Sequence, residues 1–279
     1  ARGAVRRPAP VARVGAQGPF IGSIGGETKG AVHPAFADFV GRCATVHSTG
    51  GPGFTDALEF DDGKVLLGKT MPLDQITWKS VTESVGGVDA LRKLIEGSGI
   101  LVPVSWTQVP HMDEIWDGVT GQVLPKIDAK GRPAVFIDLA DPKKRTEEAL
   151  IGALERLRKM NALAPVTLGL NLSESQQVAR VLGKKEPQTL EDGAPMIRDA
   201  LGLECVVTHG HKGGASATGD GAVASFAGPY TKTPRISTGA GDHFNSGFAI
   251  GSALGLPPGE RVAIGAALER AGVQARDVA

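Results

Sequence analysis

Between residues 100 and 210 the chain alternates two kinds of segment: short runs that are apolar at successive positions, and longer stretches whose apolar residues recur at helical spacing. Ile100-Leu101-Val102-Pro103-Val104-Ser105 predicts a strand weakened by its proline, and Ala134-Val135-Phe136-Ile137-Asp138 predicts a clearer one. Val166-Thr167-Leu168-Gly169-Leu170 and Glu204-Cys205-Val206-Val207-Thr208 repeat that form. Between them the spacing predicts helices over 112–124, 144–160, 174–182 and 195–201. Strands without polar alternation, separated by helices, argue for an α/β protein with a mostly parallel central sheet covered by helices on both faces. Ligands of such sheets sit beyond the carboxyl ends of the strands. That rule aligns Asp138, Asn171 and Thr208 along one edge, where a Gly-rich turn at 239–242 could join them.

The first seventy residues follow another pattern. Residues 1–19, rich in arginine and proline, show neither period and predict an irregular N-terminus. Phe20 to Gly25 reads as a strand. The pieces 44–48, 57–60 and 64–67 are strand-like, with Asp61-Asp62-Gly63 as a turn, and together predict a small β lid around 44–68. The remainder, 20–279, reads as one domain.

Composition narrows the field. Thirty basic and thirty acidic residues cancel, so no net charge draws the chain to nucleic acid or an anionic membrane. No apolar run approaches the roughly 20 residues of a membrane span. Arg2, Arg6 and Arg7 lack the apolar segment that would make a signal peptide. The two cysteines, Cys43 and Cys205, have neither disulfide-framework nor zinc-site spacing, which points to a reducing cytoplasm.

The candidate chemistry lies in Ser237-Thr238-Gly239-Ala240-Gly241-Asp242, followed by the apolar helix pattern from Phe248. Glycines allow successive N–H groups to point one way, and a helix start adds the positive end of its dipole. An anion pocket beside a carboxylate suits phosphoryl transfer to a hydroxyl. The same residues would also serve as an ordinary Gly-rich helix start. No Gly-x-x-x-x-Gly-Lys-Ser/Thr occurs, and Phe244 stands where a dinucleotide fingerprint needs its third glycine.

With these residues in hand, Thr238-Gly239-Ala240-Gly241-Asp242-x-Phe244-Asn245-x-Gly247-Phe248 resembles the ribokinase-like carbohydrate kinases, the PfkB family. Asn171-Leu172-Ser173-Glu174 is similar to the family's Asn-x-x-Glu element, and Val206 to Gly214 to its Val-x-Thr-x-Gly-x-x-Gly nucleotide turn. Phe136 to Arg145 resembles its strand-end Asp and Asp-Pro segment. The likeness is full from about 100 to 270 and looser from 20 to 70. It implies ATP-dependent phosphorylation of a hydroxyl on a sugar, a nucleoside or a similar small molecule. Asp242 would be the general base, and the N–H groups of Gly239, Ala240 and Gly241 the anion hole. Asn171 and Glu174 would organise Mg²⁺ and its waters, while Thr208, Gly210, Gly213 and Asn245 would serve the nucleotide. The family leaves room for a monovalent cation, and its lids often pair subunits, which implies a homodimer through the hairpin. The residues alone leave Asn171 equally a strand-end turn, Glu174 a first-turn helix charge, and Gly210 and Gly213 turn glycines.

The chain also departs from that family. A first strand ending in an acid and a following Gly-Gly-Asn segment are not found, so an altered or truncated N-terminus is expected, and the C-terminus reads as short. This keeps open a second reading, a catalytically impaired nucleotide-binding or regulatory remnant of the fold. His209, His211 and His243 are read as turn and helix residues rather than zinc ligands. Trp78, Trp106 and Trp116 are read as core, and Lys143, Lys144 and Arg145 as a solvated face.

Overall fold

A computed structural model describes residues 18–26, 31–60, 63–228 and 239–274. The expected irregular start therefore lies outside the described residues up to 17, as do Glu27, Asp61, Asp62, Ser237, Thr238 and the end of the chain beyond 274. Among the described residues, ten strands and nine helices form. They are β1 (Pro19–Gly22), α1 (Ala37–Val40), β2 (Thr45–Ser48), β3 (Phe54–Phe60), β4 (Gly63–Lys69), α2 (Trp78–Val85), α3 (Val88–Glu96) and β5 (Ile100–Leu101). There follow α4 (Met112–Gly118), β6 (Ala134–Asp138), α5 (Glu147–Asn161), β7 (Val166–Asn171), α6 (Leu172–Val181) and α7 (Leu190–Leu201). The last are β8 (Cys205–Gly210), β9 (Gly213–Thr218), β10 (Val223–Ala227), α8 (Ala240–Ala253) and α9 (Pro258–Gln274).

Six strands make the main sheet in the order β10-β9-β8-β7-β6-β5. The run β5 to β8 is parallel, as the unbroken apolar strands require, and β9 and β10 fold back antiparallel. Successive residues of one strand enter different cores. Val135 and Ile137 join the larger core against the helices up to α7, whereas Phe136 joins Phe244, Phe248, Val262 and Ala266 of α8 and α9. Burial on both faces is why these strands carry no polar alternation.

Several boundaries differ from the sequence expectation for identifiable reasons. The strand expected over 100–105 stops at Leu101, because Pro103 has no N–H to donate and Ser105 adopts φ 70. The chain rejoins the sheet edge further on, where Ser105 N donates to Asp138 O (3.2 Å) and Thr107 N to Leu139 O (3.1 Å). The helix expected from 144 starts at Glu147, since the Thr146 side chain caps it by accepting from Ala149 N. The helix expected over 195–201 begins at Leu190, capped by Thr189, with Pro195 inside it. Helix α4 continues past Gly118 as a π turn over Val119–Val123.

The N-terminal strands also divide differently. β2, expected to join the hairpin in one small β unit, pairs instead in parallel with β1, Pro19 opposite Thr45, as a separate two-stranded sheet. The hairpin is β3–β4 alone, with Phe54 opposite Lys69. The tryptophans are core as expected, with Trp106 and Trp116 fully buried. Arg145 is not on a solvated face. Its guanidinium lies 4.4 Å over the Trp106 ring and donates to Val109 O (2.7 Å), fastening the loop after β5 to the turn after β6.

The β8–β9 turn depends on Gly213, whose φ is 135 and where a Cβ would stand 2.0 Å from Phe226 O. Gly213→Ala is therefore expected to destabilise the fold by about 3 kcal/mol, from backbone strain plus displacement of β10. Chemical denaturation checks this, and an unchanged midpoint would refute it.

Candidate active site at the strand ends

The carboxyl ends of β6 and β7 meet at one buried carboxylate. Asn171 ends β7 and caps α6: its Oδ1 accepts from Glu174 N (3.0 Å) while Glu174 Oε2 accepts from Asn171 N (2.8 Å). The other oxygen, Glu174 Oε1, accepts from Asp141 N (3.0 Å) in the turn after β6. Desolvation pushes the Glu174 carboxyl up to about 7, with the Asp138 and Asp141 charges adding to it, against the pull of these two N–H groups.

The turn after β6 is unusual in its backbone. Ala140 and Asp141 both adopt left-handed φ, 59 and 65. That conformation costs about 1 kcal/mol per non-glycine residue. Ala140 N donates to Asp138 Oδ1 (2.7 Å), Asp141 N to Glu174, and Thr107 Oγ1 to Ala140 O. Bonds to a carboxylate contribute about 1.5–3 kcal/mol each, enough to hold the turn.

Helix α8 arrives at this edge from the opposite face of the sheet. Gly239 caps it with φ 86, and His243 N makes the first intrahelical bond to Gly239 O (3.1 Å). The N–H groups of Ala240, Gly241 and Asp242 open the helix and by its geometry have no acceptor within it. The cap residue Gly239 likewise has no intrahelical acceptor for its N–H, so the expected Gly239–Gly241 donors are part of this open set. Asp242 is exposed, and a Cβ at Gly239 would lie 3.8 Å from its Oδ2, so the carboxylate folds back over the turn.

Other expected residues turn inward. Asn245 is buried and its Nδ2 donates to Asp138 Oδ2 (2.9 Å). Thr208 is fully buried with its hydroxyl donating to Leu190 O (2.7 Å), so in this arrangement its side chain supports the strand rather than lining a surface. Gly210 and Gly213 flank the His211-Lys212 turn. A Cβ on Gly210 would meet nothing closer than 3.8 Å, so its bareness serves no packing need. His209 belongs to β8 rather than to a turn. It stacks on Phe244 (4.8 Å between centroids), and burial lowers its pKa to about 4, keeping it neutral. No group of three His, Cys, Asp or Glu side chains among the described residues is arranged to hold a metal directly.

Sequence reasoning missed Glu269, a buried acid on α9 beside the exposed His211 (3.8 Å). It follows Val262 by seven positions and Ala266 by three, both in the core, and that helical spacing was the available signal.

An open α/β sheet, parallel from β5 to β8 with β9 and β10 folded back and helices on both faces, has the ribokinase-like fold. The structure matches the Arabidopsis thaliana ribokinase complexed with ribose and ATP at TM-score 0.70, with 18% identity over 98% of this chain and 80% of that one. It matches the Sinorhizobium meliloti adenosine kinase at TM-score 0.70, with 14% identity over 99% and 79% of the two chains. The family model for prokaryotic ketohexokinase covers residues 10–277, and the chain belongs to that family. A ketohexokinase of Haloferax volcanii is 26% identical over 223 residues, 80% of this chain. The chain spans 58% of the length of that relative.

Two buried carboxyls give a signed pH prediction. Glu174 and Glu269 are both pushed up to about 7, Glu269 by burial alone. Above the unfolded value of about 4.5 the unfolded chain releases protons that the fold retains, so stability is full below that pH and declines as pH rises toward 7. Glu269→Gln is expected to remove its share of this decline, on the order of 1–2 kcal/mol between pH 5 and 8. Denaturant titrations at both pH values check it, and an unaltered slope in the variant would remove Glu269 from the account.

Proposed function

We propose that this chain carries the phosphoryl-transfer apparatus of an ATP-dependent sugar kinase whose acceptor is a ketohexose hydroxyl. The observation that carries the reading is the exposed Asp242 on the first turn of α8, a helix start whose Asn245 reaches Asp138 at the end of β6, the turn of which bonds Glu174. The sugar class follows from membership of the prokaryotic ketohexokinase family.

Asp242 takes the proton of the acceptor hydroxyl as that oxygen attacks the γ-phosphorus of ATP, and ADP leaves from the opposite side. The backbone donors at Gly239, Ala240 and Gly241, extended to Asp242 by the helix geometry, stabilise charge on the transferring oxygens. The Gly210–Gly213 turn lets the nucleotide approach bare backbone, with Thr208 and Asn245 shaping that wall from within. Glu174, supported by Asn171, fits a water-mediated role toward Mg²⁺: each oxygen accepts one N–H and keeps a lone pair, and two nearby acids, Asp138 and Asp141, add negative charge. When bound, that ion neutralises charge on the phosphate oxygens.

The hairpin acts as a lid and as a contact between two copies of the chain. Phe54, Leu58, Val65 and Leu67 share one of its faces by register, and each is between 41% and 49% exposed. We place the reaction in the cytoplasm, in keeping with the free cysteines Cys43 and Cys205. No helix among the described residues is long and apolar enough to cross a membrane.

The test is ADP formation from MgATP against fructose, other ketohexoses, aldoses and nucleosides. Ketohexose-dependent ADP release is expected, and Asp242→Asn should lower kcat by about 10³-fold or more with KM for ATP little changed. Near-normal turnover in that variant removes Asp242 from the base role, and ATP binding without turnover on any acceptor favours the nucleotide-binding remnant. Sedimentation should show a dimer that Leu67→Glu converts to monomer. A wild-type monomer at all concentrations overturns the lid contact.

A further inference from the structure

One side-chain hydrogen bond spans the two halves of the candidate site. Asn245 on the second turn of α8 donates from Nδ2 to Asp138 Oδ2 at the end of β6, a distance of 2.9 Å between residues 107 positions apart. The amide orientation is determined by chemistry, because the reverse would set its oxygen against a carboxylate oxygen. Its Oδ1 then faces Gly169, where a Cβ would stand only 3.0 Å away, and this buried oxygen has no hydrogen-bond partner. An orphaned buried acceptor is costly, so a packing role alone would be better served by an apolar residue of the same shape.

The far side of Asp138 continues the connection. Its Oδ1 accepts from Ala140 N, the next residue Asp141 donates to Glu174 Oε1, and Glu174 Oε2 accepts from Asn171 N. The left-handed pair Ala140 and Asp141 has little freedom to adjust once these bonds are made. Displacement of Asn245 would therefore be felt at Glu174, and displacement of the turn would be felt at α8, which carries Asp242 three residues before Asn245.

We propose that Asn245 and Asp138 form a positioning pair that holds the base-bearing start of α8 in register with the Glu174 end of β7. This deepens, and rests on, the kinase reading of the same site. It replaces direct nucleotide contact as the role of Asn245.

The experiment compares Asn245→Ala, Asn245→Ser, Asn245→Asp and the exchange Asp138→Asn with Asn245→Asp, in the full chain. Asn245→Ala and Asn245→Ser should each lower kcat at least tenfold with KM for MgATP within threefold of wild type. Asn245→Asp should be worse, because two carboxylates then face each other. The exchanged pair restores one amide–carboxylate bond, since the new amide at 138 still accepts from Ala140 N and donates to the new acid. It should recover at least tenfold over Asn245→Asp. No recovery, or a rise in KM that accounts for the loss, overturns the proposal. Amide exchange followed by NMR separates this from failure of the kinase reading. If wild type turns over no acceptor, the kinase reading falls. The pair stands only if Asn245→Ala still speeds exchange of the Ala140 and Asp141 amides at least tenfold, and unchanged exchange overturns it.

Discussion

Strands β6, β7 and β8 carry apolar side chains on both faces, and water reaches their backbone only at the ends. The sheet is held between two cores of unequal size, the larger against the helices up to α7 and the smaller against α8 and α9. Polar side chains that cannot enter either core collect at the carboxyl edge. Asp138 and Asn171 are the terminal residues of their strands, and both use their side chains to accept backbone N–H groups. The same burial forces α8 across the second face, where Phe244 and Phe248 anchor it. Its polar start is thereby delivered to the edge that β6 and β7 make.

The edge is electrostatically incomplete by itself. Asp138, Asp141 and Glu174 crowd together, and the nearest basic group to Asp141 is the exposed Lys144 at 3.6 Å. Backbone donors hold Glu174 in place, but its burial, with the Asp138 and Asp141 charges adding to it, leaves the carboxyl pushed up to about 7. On the proposed kinase reading this imbalance has a use: negative groups stand on one side and helix-start donors on the other, each unfavourable alone. The protein meets the cost with a rigid turn whose left-handed backbone is tied at three atoms.

The hairpin contrasts with that edge. It leaves large apolar side chains in water along one face, with the exposed Lys69–Asp56 pair (2.8 Å) at one end. Such a surface gains most when covered, whereas the strand-end site gains most from being rigid. The molecule thus sets a tightly tied strand-end turn against a hairpin whose apolar face is left exposed.

The sequence alone determined the layered α/β class, because apolar strands without alternation can be buried only between two helical layers. It also determined the candidate groups: the Gly239–Asp242 turn, Asn171 with Glu174 at capping-box spacing, and Asp138 at a strand end. Local rules reach these because caps, strand ends and helix starts involve residues a few positions apart. Tertiary structure alone decided which of the candidate groups turn inward. Asn245 and Thr208 turn inward because their partners, Asp138 and Leu190 O, are distant in the chain, and no local pattern encodes that. The left-handed turn at Ala140 and Asp141 was equally invisible, since neither residue favours it and the bonds that stabilise it come from Thr107, Asp138 and Glu174. Arg145 and β2 were misplaced for the same reason: each is settled by a contact across the fold, with Trp106 and with β1.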